Sequence, residues 1–401
     1  MNIMLLSDVP PSTNFTAGIV QLQLCRFLLE DGHKLCCFGI VDPFLNPEIP
    51  DDLLEVMPYK RTNKPKESWG RHPKFGSFAS LIANNYISFV KLPQISKDAA
   101  QFAKANNVDI IWSVVQGQTM IKVVRKIASI VGVPYTVQVW DPPEWWLREN
   151  KFDSFTKKSV MKEFGRLLKQ SKACLSASWT MAEEYSATYR ANCIPVIPGL
   201  DHKKEIEPQK RIDNDFIIAF AGQIYASTEF NALLMALEYM NWAHNGRKIR
   251  LSLYGRYFQN FHFNKPANIH ICGWYHQESV LKELAASDLL YCPYWFDPAF
   301  EKIARLSFPS KLTSYLKTKT PVLVHAPEYS SPVKFVKQHN AGFVCNTLDP
   351  REIAAQLAEI IDNGEENKKI GLQGYEAFSK HLTFDVMKTN FYKSLGLESG
   401  I

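Results

Sequence analysis

Pro309, Ser310 and Lys311 follow an irregular loop and precede an amphipathic stretch, an order that suits the binding of an anion. A proline at the start of a helix costs little, because first-turn amides have no intrahelical acceptor. Those amides and the positive end of the helix dipole can hold phosphate oxygens, and Lys311 would add a full charge. The pattern reads as a diphosphate site; the plainer alternative is an ordinary helix start with a solvated lysine. Arg256, after the apolar run LSLYG, and Arg305 are further cations for the same task. Carboxylates able to take a proton from a hydroxyl, or to hydrogen-bond to one, are Asp141 and Glu144 in VWDPPEWW, and Asp297 or Glu301 after YCPYW. The two prolines behind Asp141 stiffen its loop. Trp140, Trp145 and Trp146 read either as core or as a flat face for a ring. His276 and His325 lack an acid at triad-like spacing and read as structural. No residues have metal-ligand spacing, so neither a metal nor a cofactor is expected.

These residues need a scaffold, and the apolar patterning supplies one. Short apolar runs at 1–7, 34–41, 108–115, 135–139 and 173–176 alternate with amphipathic stretches at 18–31, 118–131 and 157–170. A short helix ending near Tyr189 follows. The alternation repeats with runs at 216–221, 249–254, 269–272, 289–292, 321–324 and 342–345, and helices at 228–242, 277–286, 310–317 and 331–338. Such alternation predicts βαβ units over a parallel sheet, with ligands at the loops behind the strands' carboxyl ends. In the first half those loops are 8–18, 116–118 and 140–144, which makes Thr16, Gly18, Gln116 and Trp140 candidates for holding a second ligand. The stretch CIPVIPGLDHKKEIEPQKRIDND is rich in proline and charge and reads as a linker. The expected organisation is an α/β chain of two Rossmann-like domains, 1–204 and 205–380, whose sheets face an interdomain cleft. A terminal helix over 381–401 would pack back on the first domain.

With 401 residues, 46% apolar and 21% charged, the chain has the composition of an ordinary globular protein and room for two cores. Its start lacks the basic, small-residue pattern of a secretory leader, and no run approaches a membrane span. The nearest, around 78–90, is interrupted by Asn84, Asn85 and Ser88. Eight cysteines, mostly inside apolar segments, read as free thiols of a reducing compartment, so a cytoplasmic location is expected. The net charge of +6 is uneven: 59–74 holds Lys60, Arg61, Lys64, Lys66, Arg71 and Lys74 against Glu67 alone. This run reads as a solvated loop, or as a surface for an anionic acceptor or the inner face of an anionic membrane, where each cation is worth ~1 kcal/mol. Nucleic acid is not an expected partner, since only Trp69 interleaves as a stacking ring.

Taken in order, the motifs resemble the family-4 glycosyltransferases of the GT-B superfamily, especially bacterial polysaccharide and lipopolysaccharide enzymes. The resemblance rests on FAGQIYAS before a helix, on NIHICGWYHQESVLKELAASDLLYCPY, and on Pro-Ser-Lys before a helix and a Pro-Val strand. VWDPPEWW and SASWTMAEEYSATY add to it. It is dense over about 170–345 and looser before. It implies a metal-independent transferase that moves a sugar from a nucleotide-diphosphate donor to the hydroxyl of a glycan, lipid-linked or small-molecule acceptor, with retention of configuration. Gly222, Gln223, Arg256, Trp274, Tyr275, Arg305, Ser310, Lys311 and Ser314 would hold the donor, Trp274 and Tyr275 at its base. Asp141, Glu144 and Lys311 would carry the chemistry, and Thr16, Gly18, Gln116 and Trp140 the acceptor. The departures are specific. Gln223 and Thr228 stand where relatives carry Arg and Lys, Leu306 and Ser314 where they carry two glutamates, and Trp140 where a histidine is common. Two rivals share the pattern: a sugar-nucleotide epimerase, and a non-catalytic glycan-binding or scaffold protein.

Overall fold

The computed structural model describes residues 1–71, 76–211, 213–256, 258 and 266–398. Lys74 of the basic run lies outside them. The chain forms two compact units, one of Met1–Val196 with the chain's end from Lys388, the other of Ile197–Met387.

The first unit contains strands β1 (Asn2–Ser7), β2 (Lys34–Val41), β3 (Tyr59–Asn63), β4 (Ile110–Val114), β5 (Tyr135–Val139), β6 (Cys174–Ser176) and β7 (Cys193–Pro195). They form one sheet in the order β3-β2-β1-β4-β5-β6-β7, parallel throughout. Its helices are α1 (Thr16–Glu30), α2 (Asp51–Val56), α3 (Gly76–Tyr86), α4 (Leu92–Ala105), α5 (Gly117–Val131), α6 (Pro143–Glu149), α7 (Ser154–Gln170) and α8 (Trp179–Tyr189). A parallel sheet covered on both faces needs strands that are apolar on both sides, and Ile3 to Leu6 are fully enclosed. Gly132, at φ +84, ends α5 in the left-handed region, and the Asp153 carboxylate caps α7 at the Thr156 amide, 2.8 Å away.

Two readings of the sequence are corrected here. The first part of the basic run is not loop, because Tyr59–Asn63 is the edge strand β3, paired with β2. An edge strand has one neighbour and its polar side chains reach solvent, so it needs no apolar alternation. Likewise, the stretch taken as a linker begins with Cys193–Pro195, which is the opposite edge strand, β7.

The second unit contains β8 (Phe216–Ala221), β9 (Ala243–His244), β10 (Arg247–Tyr254), β11 (Ile269–Gly273), β12 (Leu289–Pro293), β13 (Val322–His325) and β14 (Phe343–Cys345). The order is β11-β10-β8-β12-β13-β14, parallel along this path, with β9 antiparallel on β10. Helices α9 (Ser227–Tyr239), α10 (Gln277–Ala285), α11 (Glu301–Leu306), α12 (Ser310–Lys317), α13 (Ser331–His339), α14 (Pro350–Asp362) and α15 (Gly364–His381) accompany it. Phe216, Phe220, Phe230 and Phe258 fill the core between β8, β10 and α9. Each such ring contributes about 1.5–3 kcal/mol by leaving water. The last helix, α16 (Phe384–Leu395), carries Tyr392, whose hydroxyl donates to the Phe27 carbonyl at 2.7 Å, and Phe391, 4.8 Å from Trp112, within the first unit. All eight cysteines are free, six of them buried.

Candidate functional site

In the second unit the strand order reverses between β8 and β12, which opens a crevice outside their carboxyl ends. The turn after β8 is Gly222 at φ +108, a conformation that a side chain would strain. Gly255, at φ +153 behind β10, allows equally close approach: a Cβ there would stand 2.8 Å from the Gly222 carbonyl oxygen. Helix α12 starts behind Pro309 with no side chain capping it, and Ser310 is exposed in its first turn. Its Tyr315 hydroxyl accepts from the Ala221 amide at 2.7 Å, which fixes the helix against the end of β8.

Lys311 reaches across this turn. Its Nζ donates to the Gln223 carbonyl at 3.5 Å and lies 4.1 Å from the centre of the Phe220 ring and 4.5 Å from that of Tyr225. No carboxylate pairs with it among the described residues, and burial against the rings pushes its pKa down to about 8. The structure thus brings together Gly222, Gln223, Ser310 and Lys311, with Ser314 one turn further along α12. Arg305 lies in the last turn of α11.

Around the loop after β12 stand two groups that sequence reasoning missed, Glu229 and Trp295. Glu229, almost fully buried in the first turn of α9, accepts from the Phe296 amide at 2.7 Å and so holds the loop after β12. The Trp295 indole donates to the Tyr225 carbonyl at 3.1 Å, and the two rings pack at 4.7 Å. Aromatic residues in YCPYWF and FAGQIY were the available signal. His325 bonds through its two ring nitrogens to the Tyr291 hydroxyl and the Thr347 carbonyl, and burial pushes its pKa down to about 4. Beside β10 and β11, Arg256 stacks over Trp274 at 5.1 Å, while Tyr275 meets Tyr254 at 5.7 Å. Trp274 and Tyr275 are both exposed.

In the first unit the carboxyl end of the sheet is built differently. Lys64, just past β3, donates to the Asp8 carboxylate behind β1 at 2.7 Å, and both side chains are about nine-tenths buried. Burial would lower the lysine's pKa, but Asp8 and then Glu67 outweigh it and hold it raised. Glu67 fills the start of α5: its carboxylate accepts from the Gln118 amide at 3.1 Å, the Thr119 amide at 2.8 Å and the Trp146 indole at 3.2 Å. Gly117, at φ +77, has no room for a Cβ, which would meet the Glu67 carboxylate at 2.2 Å. Gln116 precedes α5 as its N-cap residue. Thr16 and Gly18 open α1, where Gly18 packs against the Ser12 loop. Trp140 and Asp141 lie between β5 and α6, and Glu144 is in the first turn of α6. Burial, then the charge of Glu144, holds the Tyr185 hydroxyl protonated well above its usual range. Asp141 and Glu144 therefore belong to one unit and Lys311 to the other. Among the described residues no group of His, Cys, Asp or Glu could hold a metal ion, and no helix is long and apolar enough to cross a membrane.

Residues 230–380 match a family model described as the C-terminal domain of glucosyltransferase 3-like proteins. Several solved structures share the fold over nearly the whole chain. HepE from Anabaena in complex with UDP is 14% identical, with 99% of this chain and 100% of that one covered at a TM-score of 0.68. Sucrose-phosphate synthase from Thermosynechococcus elongatus is 13% identical over 98% and 99%, with a TM-score of 0.67. WaaG, a glycosyltransferase involved in lipopolysaccharide biosynthesis, is 12% identical over the full length of both chains, with a TM-score of 0.61. No curated protein matches the sequence. The chain has the GT-B fold, with two Rossmann-like units, and the similarity to family-4-like glycosyltransferases expected from its motifs is consistent with these matches.

Proposed function

We propose that this protein is a metal-independent glycosyltransferase that binds a nucleotide-diphosphate sugar in its second unit and an acceptor in its first. The observation that carries this reading is Lys311: an ammonium packed on two aromatic rings with no carboxylate partner among the described residues, beside an uncapped helix start, at the reversal point of a parallel sheet. A diphosphate supplies the negative charge that this place lacks. As the bond from the sugar to the β-phosphate breaks, charge develops on the departing oxygen, and Lys311 with the first-turn amides of α12 stabilises it. Trp274 and Tyr275 offer exposed rings to the base. The acceptor oxygen forms its bond to the anomeric carbon as the bond to the diphosphate breaks, and Asp141 or Glu144 would hydrogen-bond the hydroxyl or take its proton. Retention, which the resemblance implies, requires attack from the face that the diphosphate leaves. Thr16, Gly18, Gln116 and Trp140 line the loops assigned to the acceptor. In the basic run Lys60 and Lys66 are exposed and available to an anionic acceptor, whereas Lys64 is engaged by Asp8.

HepE has been crystallised with UDP, with UDP and glucose, and with UDP-glucose, so uridine nucleotides are the first probes. Calorimetric titration with UDP, GDP, TDP and the corresponding sugars tests the reading. Tight binding of one diphosphate, with weak binding of its nucleoside, is expected, and binding of none would overturn it. The replacement of two customary cations by Gln223 and Thr228 favours one further reading, a protein that binds the donor or a glycan without transfer. Binding of a nucleotide sugar that is neither transferred nor hydrolysed would establish it.

A further inference from the structure

A different face of the first unit reverses the usual patterning of a surface helix. Along α3 and the π-helical turn Ile87–Lys91 that prolongs it, Ser80 and Asn84 are buried. Phe78, Ile82, Tyr86, Phe89 and Val90 are instead exposed, at 66%, 55%, 51%, 77% and 52%. Positions 78, 82, 86 and 89–90 share one helical stripe. The buried polar groups are satisfied. Ser80 donates to Asp153 at 2.9 Å, Asn84 to Ser80 at 3.0 Å, and Gln118 to Asn84 at 2.7 Å. The inward side is thus a completed polar seam, and the helix has no reason to turn its apolar side inward. Single exposed apolar residues are ordinary, but a contiguous stripe marks a surface that meets another apolar phase.

Phe89, at the end of this stripe, also lines a groove of about 640 Å³ between α5 and α7. Lys122, Arg125 and Lys126 from α5, and Lys162 and Arg166 from α7, line the groove against one acid, Glu163. Glu163 is taken up by Arg125 and by Arg166 at 3.6 Å. Lys126 and Lys162 form no ion pair among the described residues. Phe155, 69% exposed, falls on the same face of α7 as Lys162 and Arg166.

We propose that this face docks on an anionic phospholipid bilayer. The stripe from Phe78 to Val90 enters the headgroup boundary, and the basic groove takes the phosphates beside it. A second copy of the chain fits the surface poorly, because a symmetric pairing would oppose two sets of five cations. The site is distinct from the basic run at 59–66, and it does not depend on the transferase reading, since docking needs neither donor nor turnover.

The test is co-sedimentation of the full chain with vesicles of phosphatidylcholine alone or mixed with phosphatidylglycerol, at low and high salt. Binding is expected only to the mixed vesicles and should weaken with salt. Phe89→Asp, and separately the double variant Lys126→Glu with Lys162→Glu, should each lower vesicle partitioning about tenfold or more. All three changes are on the surface and should leave the melting temperature in place. No sedimentation with mixed vesicles at low salt overturns the proposal, as does sedimentation that these variants leave unchanged. Sedimentation velocity showing a dimer that Phe89→Asp converts to a monomer also overturns it, since the stripe would then be an interface between copies.

Discussion

The two sheets follow the same strand order over six strands, yet their carboxyl ends treat charge in opposite ways. In the first unit the lysine behind β3 is answered by Asp8, and the start of α5 is filled by the carboxylate of Glu67. In the second unit Lys311 rests on two aromatic rings, and α12 begins without a side-chain cap. Both lysines are desolvated, but one has its pKa raised by acids and the other has its pKa pushed down to about 8. At the first end the lysine and the helix start each have a carboxylate partner within the unit. Under the proposed reading the second is completed by an anion from outside, and this difference is the ground on which the diphosphate is assigned to the second unit.

Breaking the first end should give the largest effect. Lys64→Met leaves Asp8 buried and uncompensated, and loss of one partner of such a pair costs about 3–5 kcal/mol of stability. Denaturant unfolding should show that loss, while nucleotide affinity per folded molecule stays unchanged. An affinity loss larger than the stability loss would show that the first end also binds the phosphates.

Lys311→Ala should act the other way round. A charge-assisted hydrogen bond contributes about 1.5–3 kcal/mol, so affinity for a nucleoside diphosphate should fall at least about tenfold, with the weak binding of the nucleoside unchanged. Equal losses for both ligands would make the residue a support for the fold.

The smallest effect sharpens the comparison. Because the folded-state pKa of Lys311 lies below its unfolded value, the charged lysine is a burden on the fold below about pH 8, and stability recovers as pH rises from there toward the ordinary lysine range. Lys311→Met should therefore raise the melting temperature at pH 7 and remove that rise with pH. A lower melting temperature at pH 7 would mean that the ammonium is held by the rings more firmly than it is penalised by burial.

How legible these features were depended on where their partners lie along the chain. Continuous apolar runs such as FIIAFA and LLYC announced β8 and β12, because a strand covered on both faces must be apolar on both. The start of α12 was legible because Pro309, Ser310 and Lys311 are adjacent. The strand β3 was not, since YKRTN carries no apolar period and only its pairing with β2 makes it a strand. Glu67 looked like a lone acid in a basic run, and its role at the start of α5 depends on Gln118, 51 residues away. On α3 the period was present but pointed outward, so a rule that assigns apolar residues to the core misplaces its stripe.

The most direct test of the central claim is proton uptake on binding. An anion beside Lys311 must raise the pKa of that lysine, so titration of the wild-type protein with UDP at pH 8 to 9, in buffers of different ionisation enthalpy, should show a proton taken up. Lys311→Met should bind more weakly and take up none. Proton uptake unchanged in the variant, or absent from the wild type while UDP still binds tightly, would contradict the claim that the diphosphate completes this end of the second unit.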